Sequence, residues 1–172
     1  EISHAIDLAA DALSEAGYEV EEMTPPQVQE TAKCGYRALM GEVVALVEPD
    51  IRSHGSNTIK AIFDEYFRQF SPHTGRSLLE AMAKRSFFAR EWALFLNEYP
   101  ILLCPFMLQP FFAPNRDAEG AEGVKDALGT ALWSYSVNFV GLPAGCVPTH
   151  IATLPQGVQP INVQLIGQRW RE

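Results

Sequence analysis

Asn138-Phe139-Val140-Gly141-Leu142-Pro143-Ala144, then Val147-Pro148, then Val163-Gln164-Leu165-Ile166-Gly167, is the stretch on which the fold of this chain turns. Gly141 and Pro143 shape a turn between a helix and a strand, because glycine reaches backbone conformations closed to other residues and proline presets φ. Asn138 falls near the helix end, where its amide can satisfy orphan carbonyls or reach the next loop. Ala144 to Ile151 reads as a strand, Leu154 to Gly157 as a turn, and Val163 to Gly167 as the last strand. Gln164, inside an apolar run, requires a buried hydrogen-bond partner.

Working upstream, a helix is predicted over 124–137, preceded by a long loop, 106–123, that contains Pro110, Pro114 and Gly120. Loops of this length often carry function. Ile101-Leu102-Leu103-Cys104-Pro105, bounded by Pro100 and Pro105, reads as a fully buried strand. Before it lies a helix over 75–98 that carries Leu78, Met82, Phe88, Trp92 and Phe95. The helix over 58–70 has a broad aromatic face (Ile59, Ile62, Phe63, Tyr66, Phe67, Phe70), which is assigned to core rather than to a substrate groove. A helix over 27–47 buries Val28, Ala32, Leu39, Val43 and Leu46; Pro49 ends it and 52–57 is a loop. At the start, Ile2, Ile6, Ala9, Leu13 and Ala16 recur at helical spacing, Gly17 stops the helix, and Tyr18, Val20 and Glu22 alternate as a short strand closed by Pro25-Pro26. Helices between separated buried strands indicate an α/β layer architecture.

The bulk composition excludes several classes of function. The 172 residues are 47% hydrophobic, enough for a real core, and carry 13 basic against 21 acidic residues, a formal net charge of −8. Nucleic acid and anionic membranes are poor partners for such a chain. No run approaches the ~20 apolar residues that span a bilayer. Cys34, Cys104 and Cys146 are few and widely spaced, which suits a reducing cytoplasm rather than a disulfide framework. Both ends read as cuts, since the chain opens directly into a helix without Met and stops shortly after an apolar run.

Motifs that carry chemistry are scarce. GxSxG, P-loop, GxGxxG, HExxH and CxxC patterns are absent, as are Ser-Ser and Gly-Gly doublets. Cys146 and His150 lie four apart in a strand, on one face but about 13 Å from each other, too far for a shared metal. They read as a buried thiol and an ordinary polar histidine. Cys104 could serve as a nucleophile activated by a distant His, but between Leu103 and Pro105 it reads as a small buried hydrophobe. Glu21-Glu22 and Asp64-Glu65 read as solvated faces.

Taken in order and at these separations, the run 101–105, the Asn138–Ala144 segment, Val147-Pro148 and the Val163–Gly167 strand resemble the C-terminal part of amidase-signature enzymes. Arg169-Trp170-Arg171-Glu172 resembles the family's segment just after that strand, and Ala5 to Pro26 resembles its helix-and-strand lead-in. The chain departs from the pattern at His150 and Asn162, where the family usually has Gly; asparagine tolerates left-handed backbone better than most residues.

The resemblance implies a partial amidase-signature fold, α/β, with a few strands of a mixed sheet covered by helices. Residues 1–172 form the C-terminal part of such a domain, with a lead-in at 1–26, a variable helical region at 27–99 and a strand-helix-strand region at 100–172. It implies amide hydrolysis by a Ser-Ser-Lys triad lying outside this chain, one serine joined through a cis peptide. No catalytic residue and no metal ligand is assigned here; Lys33, Lys60, Lys84 and Lys125 match no family lysine. No cofactor is implied. Phe106, Met107, Phe111 and Phe112, after the Pro105 strand, are the predicted substrate-binding residues, lining a pocket for an apolar or aryl acyl part. The expected partners are a small-molecule amide and, through an exposed sheet edge, a second copy of the chain. Alternatives are the glutaminase-type subunit of a transfer-RNA amidotransferase, a non-catalytic interaction module, and a cysteine hydrolase using Cys104 or Cys146 with His150.

Overall fold

The structure, a computed structural model, describes residues 1–171. Its helices are α1 (Ile2–Glu15), α2 (Val28–Leu46), α3 (Glu48–His54), α4 (Asn57–Gln69) and α5 (Gly75–Glu98), then α6 (Gly120–Gly129) and α7 (Leu132–Val140). The strands are β1 (Ile101–Pro105), β2 (Ala144–Leu154) and β3 (Gly157–Gly167), and a single 3₁₀ turn covers Arg116–Ala118. The architecture is α/β, with a sheet of order β1-β3-β2. Both pairings are antiparallel, so the described strands form one uniform sheet where a mixed one was expected.

The sheet is covered on both faces. On one side α1 delivers Ala5 to Ala152, Ile161 and Val163, with Leu103 and Leu154 alongside. On the other, α5 and α7 place Phe88, Trp92, Leu96, Val137 and Val140 against Cys104 and Ile166. The strand period of two divides β3 between these layers: odd positions face α1, even positions face α5 and α7. β2 keeps to that division only through a bulge between Pro148 and His150. One extra residue flips the phase, so His150, Ala152 and Leu154 turn toward α1. A third cluster, formed by Tyr36, Ile62, Val124 and Leu128, joins α2, α4 and α6 away from the sheet.

Several local expectations are corrected. Residues 18–22 form no strand: Tyr18 is 56% exposed, and no neighbouring strand takes up the backbone groups of that segment. Pro49 does not stop a helix but opens α3 in its first turn, where the missing N–H costs nothing, and helix covers much of the predicted loop 52–57. The helix expected over 124–137 is two helices broken at Thr130-Ala131. β1 is an edge strand rather than a fully buried one, with Ile101 half exposed. The buried face of α2 is also rotated from the predicted one. Thr31, Ala32, Gly35, Tyr36 and Ala38 are buried, whereas Leu39 and Leu46 face outward. Small residues let neighbouring elements come closer than leucines would: a Cβ on Gly35 would lie 2.7 Å from Phe139 Cβ.

Candidate functional site

The predicted residues sit where the chain leaves β1. Phe106, Met107 and Phe111 line an open hollow of about 250 Å³, closed on its other sides by Ile2 of α1 and by Pro160 and Ile161 of β3. Phe112, the next residue along, is half-buried and does not line it. The segment is held at both ends. Gln156 and Gln159 Nε2 donate to Phe111 O at 2.9 and 3.1 Å, and Leu108 N donates to Thr130 O at 2.8 Å. The Gln159 Oε1 atom is buried without a partner. Most of that volume is open mouth: the space inside holds only about 20 Å³, room for a water-sized group, and among its walls there is no nucleophile, acid or base.

His150 lies near this hollow, on the α1 face. Its Nε2 is 2.8 Å from Glu1 Oε2, and because an ionised carboxylate only accepts, Nε2 carries the hydrogen. That hydrogen bond holds the Glu1 carboxyl below its usual range. Thr149, the bulged residue, donates Oγ1–H to Ile161 O, and the His4 ring meets His150 edge-on at 5.1 Å. His150 replaces the family's glycine without strain, since neither it nor Asn162 has positive φ. Asn162 is extended in β3 opposite Pro148, so its tolerance of left-handed backbone is not used.

Neither thiol is arranged for catalysis. Cys104 is buried, which pushes its thiol up to about 12, and Sγ meets Gln164 Oε1 at 3.7 Å, the buried partner Gln164 requires. Cys146 is exposed rather than buried, and its thiol too is raised by desolvation. The bulge also overturns the expected Cys146–His150 arrangement: Cys146 pairs with Gln164 and His150 with Ile161, on opposite sheet faces. Among the described residues no group of three His, Cys, Asp or Glu could hold a metal, and no helix is long and apolar enough to cross a membrane.

A larger groove, about 890 Å³ including its open mouth, lies between α2, α5 and α7 and contains none of the predicted residues. Ala38, Leu39, Met82 and Phe139 wall it, with Glu42 and Arg85 also on its lining. Helical periodicity could not locate it, because Leu39 reads as core until the packing of α2 through its small residues is known. The signature turn closes its α7 side. Asn138 Nδ2 donates to Ser134 O at 2.8 Å, a carbonyl inside α7, rather than to the orphan carbonyls at the helix end or to the next loop as expected. Gly141 caps α7 at φ 72°. Arg85 Nε donates to Phe139 O at 2.5 Å and Arg169 Nε to Gly141 O at 2.6 Å, while Arg169 Nη2 donates to Val140 O.

Comparison with known proteins places this arrangement. Indoleacetamide hydrolase of Bradyrhizobium japonicum is 30% identical over 169 residues, 98% of this chain and 36% of that protein. Indoleacetamide hydrolase of Bradyrhizobium diazoefficiens is 28% identical over 172 residues, 99% of this chain and 32% of that protein. The chain thus spans about a third of the length of the curated relatives it matches. Among solved structures, 6-aminohexanoate cyclic dimer hydrolase superposes with TM-score 0.70 at 20% identity, over 99% of this chain and 38% of that one. Kluyveromyces lactis allophanate hydrolase gives 0.73 at 18%, over 98% and 27%. At such identities these superpositions speak to the fold. The family profile named Amidase matches residues 1–172, from the first helix through the signature turn to the last strand, and the chain belongs to that family.

Proposed function

We propose that this chain is scaffold and pocket wall of an amide hydrolase that converts a carboxamide with an apolar or aryl acyl part into the carboxylate and ammonia or an amine. The observation that carries this reading is the 30% identity to an indoleacetamide hydrolase along nearly the whole chain. Bond breaking is assigned to a Ser-Ser-Lys set outside residues 1–172. In support, the chain has no Ser-Ser doublet, Cys104 is buried and proton-bound at neutral pH, and His150 is committed to Glu1. Phe106, Met107, Phe111 and Phe112 are proposed to contribute an apolar wall.

The test is ammonia release from indoleacetamide by the intact gene product and by residues 1–172 alone. The intact protein is expected to turn over, and to keep doing so after thiol alkylation; residues 1–172 alone are expected to be inert. Turnover by the lone chain, or loss of activity on alkylation, sinks the assignment. Replacing Phe106 and Phe112 with Ala in the intact enzyme should alter kcat/KM for aryl relative to alkyl amides; an unchanged ratio removes these residues from the pocket. The glutaminase-type reading is the weaker one, since the curated relatives that match along nearly the whole chain are indoleacetamide hydrolases.

A further inference from the structure

The groove between α2, α5 and α7 combines apolar walls with opposite charges at its two ends. α2 and α5 run antiparallel, because Cys34 Sγ reaches Ala81 O while Gly41 faces Leu78 and the His73 carbonyl. Arg85 therefore lies toward the Gly35 end, where Phe139 packs. Glu42 is seven residues further along α2, which is about 10 Å at 1.5 Å per residue. The two do not pair, and neither has an ion-pair partner among the described residues.

The Arg85 end is short of acceptors. Arg85 and Arg169 converge on exposed Gly141, where an added Cβ would touch both, at 3.4 and 3.0 Å. The last carbonyls of α7 take Arg85 Nε and both bonding nitrogens of Arg169, and no carbonyl or carboxylate among the described residues takes the Arg85 terminal N–H groups. Two guanidinium groups this close favour a negative group beside them, and a planar fork matches a carboxylate. Without its open mouth the groove holds about 420 Å³, within the ~300–1,000 Å³ typical of small-molecule sites.

We propose that this groove binds a monocarboxylic acid with an elongated apolar or aryl body. The carboxylate sits on Arg85, the body lies between Leu39, Met82 and Phe139, and Glu42 repels a second acid group. The choice of ligand rests on the amide-hydrolase reading: water and RCONH₂ give RCOO⁻ and ammonium, so the acid retained here is the product, and Arg85 distinguishes it from the neutral amide.

The experiment is calorimetric titration of the intact protein with phenylbutyrate, with 4-phenyl-1-butanol as a neutral analogue that an amide hydrolase cannot cleave, and with suberate. Phenylbutyrate is expected to bind about tenfold or more tighter than the alcohol, the difference a charge-assisted hydrogen bond makes, and suberate not to bind. Arg85→Gln should abolish the preference for the acid. Because that change also loosens the cap of α7, Met82→Trp provides a second check: it fills the groove without altering charge and should abolish binding with the melting temperature retained. Glu42→Gln should admit suberate, a gain that misfolding cannot produce. Equal affinity for acid and alcohol, or wild-type binding by both Met82→Trp and Arg85→Gln, overturns the proposal. Failure of the intact protein to hydrolyse any amide would remove the hydrolase reading instead, while the titration would still report on the groove.

Discussion

Gly41 shows how closely α2 approaches its neighbours: a Cβ there would lie 1.9 Å from the His73 carbonyl oxygen, a backbone atom that cannot rotate away. Gly41→Ala should therefore destabilise by about 1–3 kcal/mol in urea unfolding, whereas Gly129→Ala, which meets nothing within 4 Å, should stay within about 0.5 kcal/mol. A similar cost at both positions would mean that α2 does not pack as described. The thiols provide a second test at this scale. Exposed Cys146 should react with an aromatic disulfide reagent in the folded state, and Cys104, buried against Gln164, only on unfolding. Early labelling of Cys104 would contradict its burial.

At the scale of elements, the bulge in β2 decides which layer receives the second half of that strand. In the phase that the bulge sets, Ala152 and Leu154 face α1 and Ile151 faces away, so Ala152→Asp should drive a charge into that core and Ile151→Asp should not. Ile151→Asp, at a position 73% exposed, should stay within about 1 kcal/mol, while Ala152→Asp should cost on the order of 2–4 kcal/mol. Hydrogen exchange should show it as loss of protection concentrated in α1, because α1 packs on little besides the sheet. Thr149→Val keeps the bulge, removes only the hydrogen bond to Ile161 O, and should cost about 1 kcal/mol. Equal costs for Ala152→Asp and Ile151→Asp would show that the phase shift is not what seats α1.

Across the whole molecule, β1 and β2 both border the sheet, with apolar residues along them: Ile101 is 50% and Ile151 73% exposed. Unpaired strand edges with apolar side chains recruit other strands. Residues 1–172 alone should self-associate in sedimentation velocity, more strongly as added salt screens the −8 charge. Ile151→Lys combined with Val147→Lys should shift the chain toward monomer. A monomer at all concentrations, or association untouched by the lysines, would leave β2 without this role.

What the sequence determined by itself was local. Asn138 to Ala144 specified a helix end, a left-handed glycine and a turn, and 101–105 and 163–167 specified strands, because backbone freedom at Gly and Pro and the period of two are written into neighbouring residues. The need of Gln164 for a buried partner was legible too, since a polar group in an apolar strand states its own requirement. What only the tertiary structure decided was which atoms meet across distance. The phase of β2 after Thr149, the outward turn of Leu39, the absence of a strand at 18–22 and the groove that brings Arg85 to Phe139 all depend on partners from other segments. Periodicity names a face, but packing chooses what that face touches.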